Sequence, residues 1–112
     1  MEFNSLGYFQ FDNLVRGRIP FLLLNLGVDL SAWYNSVEAM HLNNYNVPVT
    51  PSNYIEQVKA KNLPPHFAIV VIDEDGTTAK EIAAALEASG FLNSYYVRGG
   101  IKGLAQERAE NL

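Results

Sequence analysis

The stretch that decides the fold covers residues 68–91 and is AIVVIDEDGTTAKEIAAALEASGF. Its first part is a short apolar run rich in β-branched residues, and the breaker Pro64-Pro65 precedes this run. Such a run is typical of a strand that is buried on both faces of a parallel sheet. The sequence therefore predicts a central strand at residues 67–72.

The helix that follows this strand is bounded by signals at both ends. Thr78 and Glu81 are spaced as in a capping box, which predicts that the helix begins at Thr78. Gly90 predicts its end, with Phe91 packed on Leu86 as in a Schellman motif.

The rest of the chain repeats this alternation of strand and helix. The apolar run at residues 21–27 predicts a second central strand, and Thr50 followed by Pro51 predicts the start of a crossover helix. Shorter elements are predicted as a strand at residues 8–11, a helix at residues 31–40, a strand near Asn46 and Val47, a strand at residues 94–97 and a helix from Ile101. We therefore expect one α/β domain over residues 1–112, with a parallel sheet of five strands flanked by helices on both faces.

Composition excludes several classes of protein. The formal net charge is -4, and the 8 Lys and Arg residues are scattered singly, which argues against nucleic acid as a partner. The longest apolar runs are far shorter than the roughly 20 residues of a membrane helix. Residues 1–7 lack the pattern of a secretory signal, so we expect a cytoplasmic protein without membrane contact.

The chain contains no cysteine, which excludes disulfides, thiolate catalysis and cysteine-ligated metals. The two histidines, His41 and His66, are expected to be structural. Trp33, Val37 and Met40 lie at helical spacing, which predicts that they pack in the core. We expect no metal and no cofactor.

Two separated stretches resemble the rhodanese domain. Residues 68–91 and the closing Gly99-Gly100-Ile101-Lys102-Gly103 are similar to its active-site strand, loop and last helices. His41-Leu42 and Asn46-Val47-Pro48-Val49 are similar to an upstream segment of the family. The resemblance implies a rhodanese-like fold.

The resemblance fails at the residues that carry the family's chemistry. It places Asp73 where catalytic members have a nucleophilic cysteine, and Thr78 where many have an arginine. Sulfur transfer is then excluded, because a carboxylate carries no sulfane sulfur and an acidic loop repels an anionic donor. At an effective dielectric of about 20, a like charge at 4 Å costs about 4 kcal/mol. The implied vestigial loop is Asp73, Glu74, Asp75, Gly76, Thr77 and Thr78, and the implied neighbouring pocket is Asn25, Gly27, His41, Gly99 and Gly100.

Two hypotheses describe Asp73. In the first, its carboxylate fills the cradle of loop amides that would otherwise hold a persulfide, and it keeps the loop ordered without a ligand. In the second, residues 73–75 form a solvated turn. This second hypothesis is favoured, because Asp and Gly are common turn residues.

The same residues also resemble a second motif. Asp73, Asp75 and Thr77 match the hhhDxDGT pattern of haloacid dehalogenase-type phosphotransferases, in which an aspartate is the nucleophile and magnesium bridges to phosphate. Only 35 residues follow Thr77, and they lack the acidic pair that this family needs.

The first choice is therefore a non-catalytic rhodanese-like domain that acts as a protein-binding or regulatory module, through a protein partner or self-association. The alternatives are a metal-dependent phosphatase and a small-ligand sensor that uses the residual pocket.

Overall fold

The computed structural model describes residues 4–17, 19–31, 33–34 and 36–110. Within them, five strands alternate with five helices in an α/β fold. The elements are β1 Ser5–Leu6, α1 Tyr8–Arg16, β2 Leu22–Asn25, α2 Ser36–Tyr45, β3 Asn46–Pro48, α3 Tyr54–Ala60, β4 Ile69–Ile72, α4 Thr77–Ala88, β5 Ser94–Val97 and α5 Gly100–Glu110. None of the described helices is both long and apolar enough to cross a membrane.

The sheet has the predicted five strands, and every pairing in it is parallel. Its strand order is β1-β5-β4-β2-β3. The two most apolar strands, β2 and β4, are neighbours, and Leu22 lies opposite Ile69. The short strands β1 and β3 form the two edges of the sheet. The strands β2 and β4 lie inside the sheet and are buried on both faces, which explains why they are continuously apolar.

Two hydrophobic cores lie on opposite faces of the sheet because successive side chains of a strand point to opposite sides. Leu22 and Leu24 of β2 pack with α3 and α4, whereas Leu23 packs with α1, α2 and α5. The same alternation holds along β4. Helices on both faces are therefore confirmed.

The C-terminal end of α4 has the predicted Schellman motif. The Phe91 amide donates to the Leu86 carbonyl at 3.0 Å, and the Gly90 amide donates to the Glu87 carbonyl at 3.1 Å. Gly90 has φ +98°, a left-handed conformation that glycine adopts without a steric penalty.

The predicted strand at residues 8–11 is wrong, because these residues form the first turn of α1. Phe11 and Val15 are four residues apart and fully buried, so the apolar positions follow a helical period. The Gln10 side chain accepts the Gly7 amide at 2.7 Å and closes the helix start. The first strand is instead β1, two residues long.

The starts of α2 and α3 also differ from prediction. The second helix begins at Ser36 instead of residue 31 and runs to Tyr45, and it exposes Met40 to 68%, so the predicted core position of Met40 is wrong. Val37 is also exposed, whereas Trp33 packs partly buried against the core. The third helix begins at Tyr54 because residues 51–53 form a turn, in which Thr50 donates its amide to the Asn53 side chain.

Candidate functional site

The loop after β4 is organised by the carboxylate of Asp73. Its Oδ1 accepts the Gly76 amide at 2.6 Å, and its Oδ2 accepts the Ala79 amide at 2.9 Å. The residue is only 5% exposed. A negative charge at this point also complements the positive N-terminal end of α4. These hydrogen bonds are the ones that the cradle hypothesis requires, and the burial of Asp73 contradicts a solvated turn at this residue.

The start of α4 also differs from prediction, because the Asp73 carboxylate accepts an amide of its first turn. The N-cap residue is Gly76, with φ +89°, and Thr77 and Thr78 already lie inside the helix. The capping box that begins at Thr78 is therefore wrong. Asp73, three residues before the helix cap, accepts the amide that a capping side chain would accept.

The loop rests directly on the start of α5. The Ile101 amide donates to the Asp73 carbonyl at 2.9 Å, and the Lys102 amide donates to the Glu74 carbonyl at 3.1 Å. Gly100 permits this approach, because a Cβ atom at this position would lie 2.5 Å from the Glu74 backbone. Gly100 of the closing motif thus allows the start of α5 to contact the loop backbone.

The other two acidic side chains of the loop are exposed. Glu74 Oε1 lies 3.3 Å from Lys102 Nζ, and both side chains are mostly solvated. The Asp75 Oδ1 atom accepts the Thr77 amide at 3.0 Å. This hydrogen bond from the Thr77 backbone is the main reason that the pKa of Asp75 lies below its ordinary value.

An open cleft of about 510 Å³ lies beside the loop, and we call it the loop cleft. The ends of β2, β3 and β4 all contribute to it, as expected for the carboxyl edge of a parallel sheet. Its lining consists of Leu26, Gly27, Val49, Thr50, Pro51, Asp73, Glu74, Asp75 and Thr78.

On the other side of the loop lies a second groove of about 670 Å³. Gly76, Thr77 and Gly99 line it together with Lys80 and Glu81, so it carries charges of both signs. The loop is thus a ridge between two depressions. Gly100 is buried under this ridge.

The structure separates Asn25 and His41 from the loop cleft. The Asn25 side chain holds its own turn, donating to the Val28 carbonyl at 2.8 Å and accepting the Val28 amide at 2.7 Å. His41 lies on α2, where its ring contacts the Tyr45 ring at 5.2 Å. Its Nε2 atom is buried and has no hydrogen-bond partner among the described residues. Of the predicted pocket residues, Gly27 alone lines the loop cleft with Asp73.

Sequence reasoning missed the residues that follow β2 and β3. Leu26, Val49, Thr50 and Pro51 line the cleft, but none of them was predicted as a site residue. The general rule that sites form at the carboxyl ends of parallel strands could have found them, once β3 had been placed beside β2.

The donor groups of the loop do not form a metal site. Among the described residues, no group of three or more His, Asp or Glu side chains could hold a metal ion. Asp73 directs both oxygens to backbone amides, and Asp75 accepts an amide as well. Magnesium requires an octahedral shell of oxygens, which these carboxylates do not assemble.

Comparison with known proteins identifies one family. The model of the rhodanese-like domain matches residues 32–107, which is more than half of the chain. No curated protein matches the chain.

Proposed function

From the premise that this chain belongs to the rhodanese-like domain family, we propose that it is a non-catalytic member that works as a protein-binding or regulatory module. The chain has no cysteine, so it has no thiolate to carry a persulfide. Family membership gives the fold, and the function has to be argued from the site.

The observation that carries this proposal is the buried carboxylate of Asp73. It directly follows β4, and both of its oxygens accept loop amides. We infer that Asp73 stands at the position of the family's cysteine and occupies the amides that would bind a reactive sulfur. A loop satisfied in this way is ordered without any ligand, which suits a fixed binding surface better than a catalytic centre.

The loop cleft supplies the surface for a partner. It is open, it lies beside the ordered loop, and apolar and polar residues both line it. Residues in loops at one end of a rigid sheet are common sites of recognition.

A cleft-filling variant tests the proposal. Thr50→Trp places a large side chain in the cleft, and Gln57→Trp places the same side chain on the exposed part of α3, away from the cleft. We expect a partner captured by the wild-type chain from a lysate to be lost with Thr50→Trp and kept with Gln57→Trp. Equal capture by both variants would contradict binding through the cleft.

A phosphatase that uses Asp73 and Asp75 is the less suitable alternative. A nucleophilic aspartate needs a free oxygen directed at phosphorus, whereas both Asp73 oxygens accept amides. Magnesium-dependent hydrolysis of p-nitrophenyl phosphate, abolished by Asp73→Asn, would establish this alternative and overturn the proposal.

A small-ligand sensor is the second alternative. The volume of the loop cleft, about 510 Å³, is in the usual range for small-molecule sites. A thermal shift in a metabolite screen that Thr50→Trp abolishes and Gln57→Trp preserves would favour it.

A further inference from the structure

We propose that the loop cleft receives a lysine or arginine side chain of a partner protein. This inference rests on the proposed function, because it names the chemistry of the partner that docks at the same site. Three properties of the cleft support it: its negative charge, its apolar walls and the exposure of two of its carboxylates.

The charge of the cleft is negative. Three carboxylates line it, and none of its described lining residues is a Lys, Arg or His. Lys102 forms an ion pair with Glu74 at 3.3 Å, but this pair is exposed and therefore weak. With that ammonium counted in full, three negative charges and one positive charge leave a net charge of -2. A cationic group is the complementary ligand.

The walls of the cleft are apolar at three positions, Leu26, Val49 and Pro51. Lysine and arginine combine an aliphatic stem with a charged head, and they bury the stem against apolar surface while the head finds a polar partner. A stem along these walls would bring the head to the acidic loop. A small inorganic cation would make no use of the apolar walls.

The carboxylates are arranged for an extended cation. Both oxygens of the buried Asp73 accept amides, so the acceptors that a cation would meet are the exposed carboxylates of Glu74 and Asp75. A guanidinium or ammonium group has several donors that reach separate acceptors.

A second copy of this chain is a poor occupant on the same grounds. Each copy carries a formal net charge of -4, so long-range repulsion opposes self-association. The second groove is also a poor site for a cation, because Lys80 and Arg98 line it together with acidic residues.

The test uses four peptides that differ only at the central residue X, acetyl-Gly-Ser-X-Ser-Gly-amide, with arginine, lysine, citrulline or glutamate at X. Citrulline has nearly the shape of arginine but no charge. Titration into the ¹⁵N-labelled chain should give saturable shifts of the Gly27, Thr50 and Thr78 amides with arginine and lysine. We expect binding of the citrulline peptide to be about tenfold weaker. Equal binding of the citrulline or glutamate peptide would overturn the proposal.

Matched variants locate the site. Glu74→Gln/Asp75→Asn and Glu56→Gln/Glu110→Gln remove the same charge, and only the first pair lies at the cleft. We expect the arginine peptide to bind the first variant about tenfold more weakly and to bind the second as it binds the wild type. Equal weakening in both variants, or shifts centred on the second groove, would contradict a cleft-specific site.

The same variants separate this inference from the proposed function. A natural partner that is lost with Thr50→Trp but kept with Glu74→Gln/Asp75→Asn would support the protein-binding module. It would overturn the inference that a basic side chain docks in the cleft. A partner kept with both would contradict binding through the loop cleft and would overturn this inference with it. A dimer in sedimentation that Thr50→Trp dissociates would show that a second copy is the occupant and would overturn the inference.

Discussion

Asp73 is the residue on which the order of the loop depends, so its removal has a clear cost. Asp73→Ala leaves the buried Gly76 and Ala79 amides without their acceptors. We expect a loss of about 1–3 kcal/mol in the free energy of unfolding. Denaturant unfolding measures this, with Glu81→Ala on the exposed side of α4 as a control that changes stability by less than about 0.5 kcal/mol. An equal effect of the two substitutions would contradict the assigned role of Asp73.

Introducing cysteine at this position should not create a sulfurtransferase. In Asp73→Cys the exposed carboxylates of Glu74 and Asp75 remain, and position 78 is still a threonine without charge. Because these carboxylates repel an anionic donor, we expect no substantial thiosulfate sulfurtransferase activity in a thiocyanate assay. Substantial activity would show that the scaffold is closer to catalysis than we infer.

Asp75 should titrate below its ordinary range. The Thr77 amide stabilises the charged carboxylate and lowers the pKa of Asp75 below 3.8. Its stabilising contribution is therefore present above pH 3.8 and is lost as the pH falls through the lowered pKa. A ¹³C-detected titration of the Asp75 carboxyl measures the midpoint, and a value at or above 3.8 would contradict the hydrogen bond.

At this scale the sequence left two hypotheses for Asp73 and favoured the solvated turn, which the burial of its carboxylate contradicts. A carboxylate directly after a buried strand and before a helix is near the helix amides by chain geometry alone. The positions of Asn25 and His41 depend on how a turn and α2 pack, and no local pattern contains that information. Asn25 thus holds its own turn instead of lining the cleft.

Among the elements, the junction of the loop with α5 should be the most sensitive to added volume. Gly90 and Gly100 both have positive φ angles, but a Cβ meets no atom within 4 Å at Gly90 and the Glu74 backbone at 2.5 Å at Gly100. Gly90→Ala should therefore cost about 1–2 kcal/mol from backbone conformation alone. Gly100→Ala should cost about 3 kcal/mol or more, because the loop has to move. Thermal unfolding compares the two, and similar losses would contradict the close approach.

Elements with strong signals at both ends were predictable, and elements with weak ones were not. The strand β4 and the C-terminal end of α4 have the expected form because β-branched residues and Gly90 act locally. Residues 8–11 include three aromatic residues, a type enriched in strands, and only the burial of Phe11 and Val15 reveals the helical period. The starts of α2 and α3 depend on turns whose hydrogen bonds no composition rule predicts.

For the whole molecule, the family match and the fold have different limits. The match covers residues 32–107, yet β2 ends at Asn25 and lies between β3 and β4 in the sheet. A fragment of residues 32–107 would therefore lack a central strand. We expect this fragment to show no cooperative thermal transition by circular dichroism, in contrast to the full 112-residue chain. A cooperative transition in the fragment would contradict the central place of β2.

The overall architecture was the most predictable level, because alternating strands and helices leave few ways to build a parallel sheet. The location of the loop cleft was only partly predictable. It depends on the spatial order of β2, β3 and β4, which brings residues 26–27, 49–51 and 73–75 to one edge.

The pairing of β1 with β5 has a consequence for protein synthesis. Ser5 lies opposite Tyr96 in the sheet, so β1 leaves the ribosome long before its partner strand β5 is made. Until β5 has emerged, a nascent chain holds β1 without its partner and leaves an edge of β4 uncovered. Unpaired strand edges and bare apolar surface attract chaperones and favour aggregation. Slow translation before β5 has emerged should thus prolong the vulnerable period of this protein.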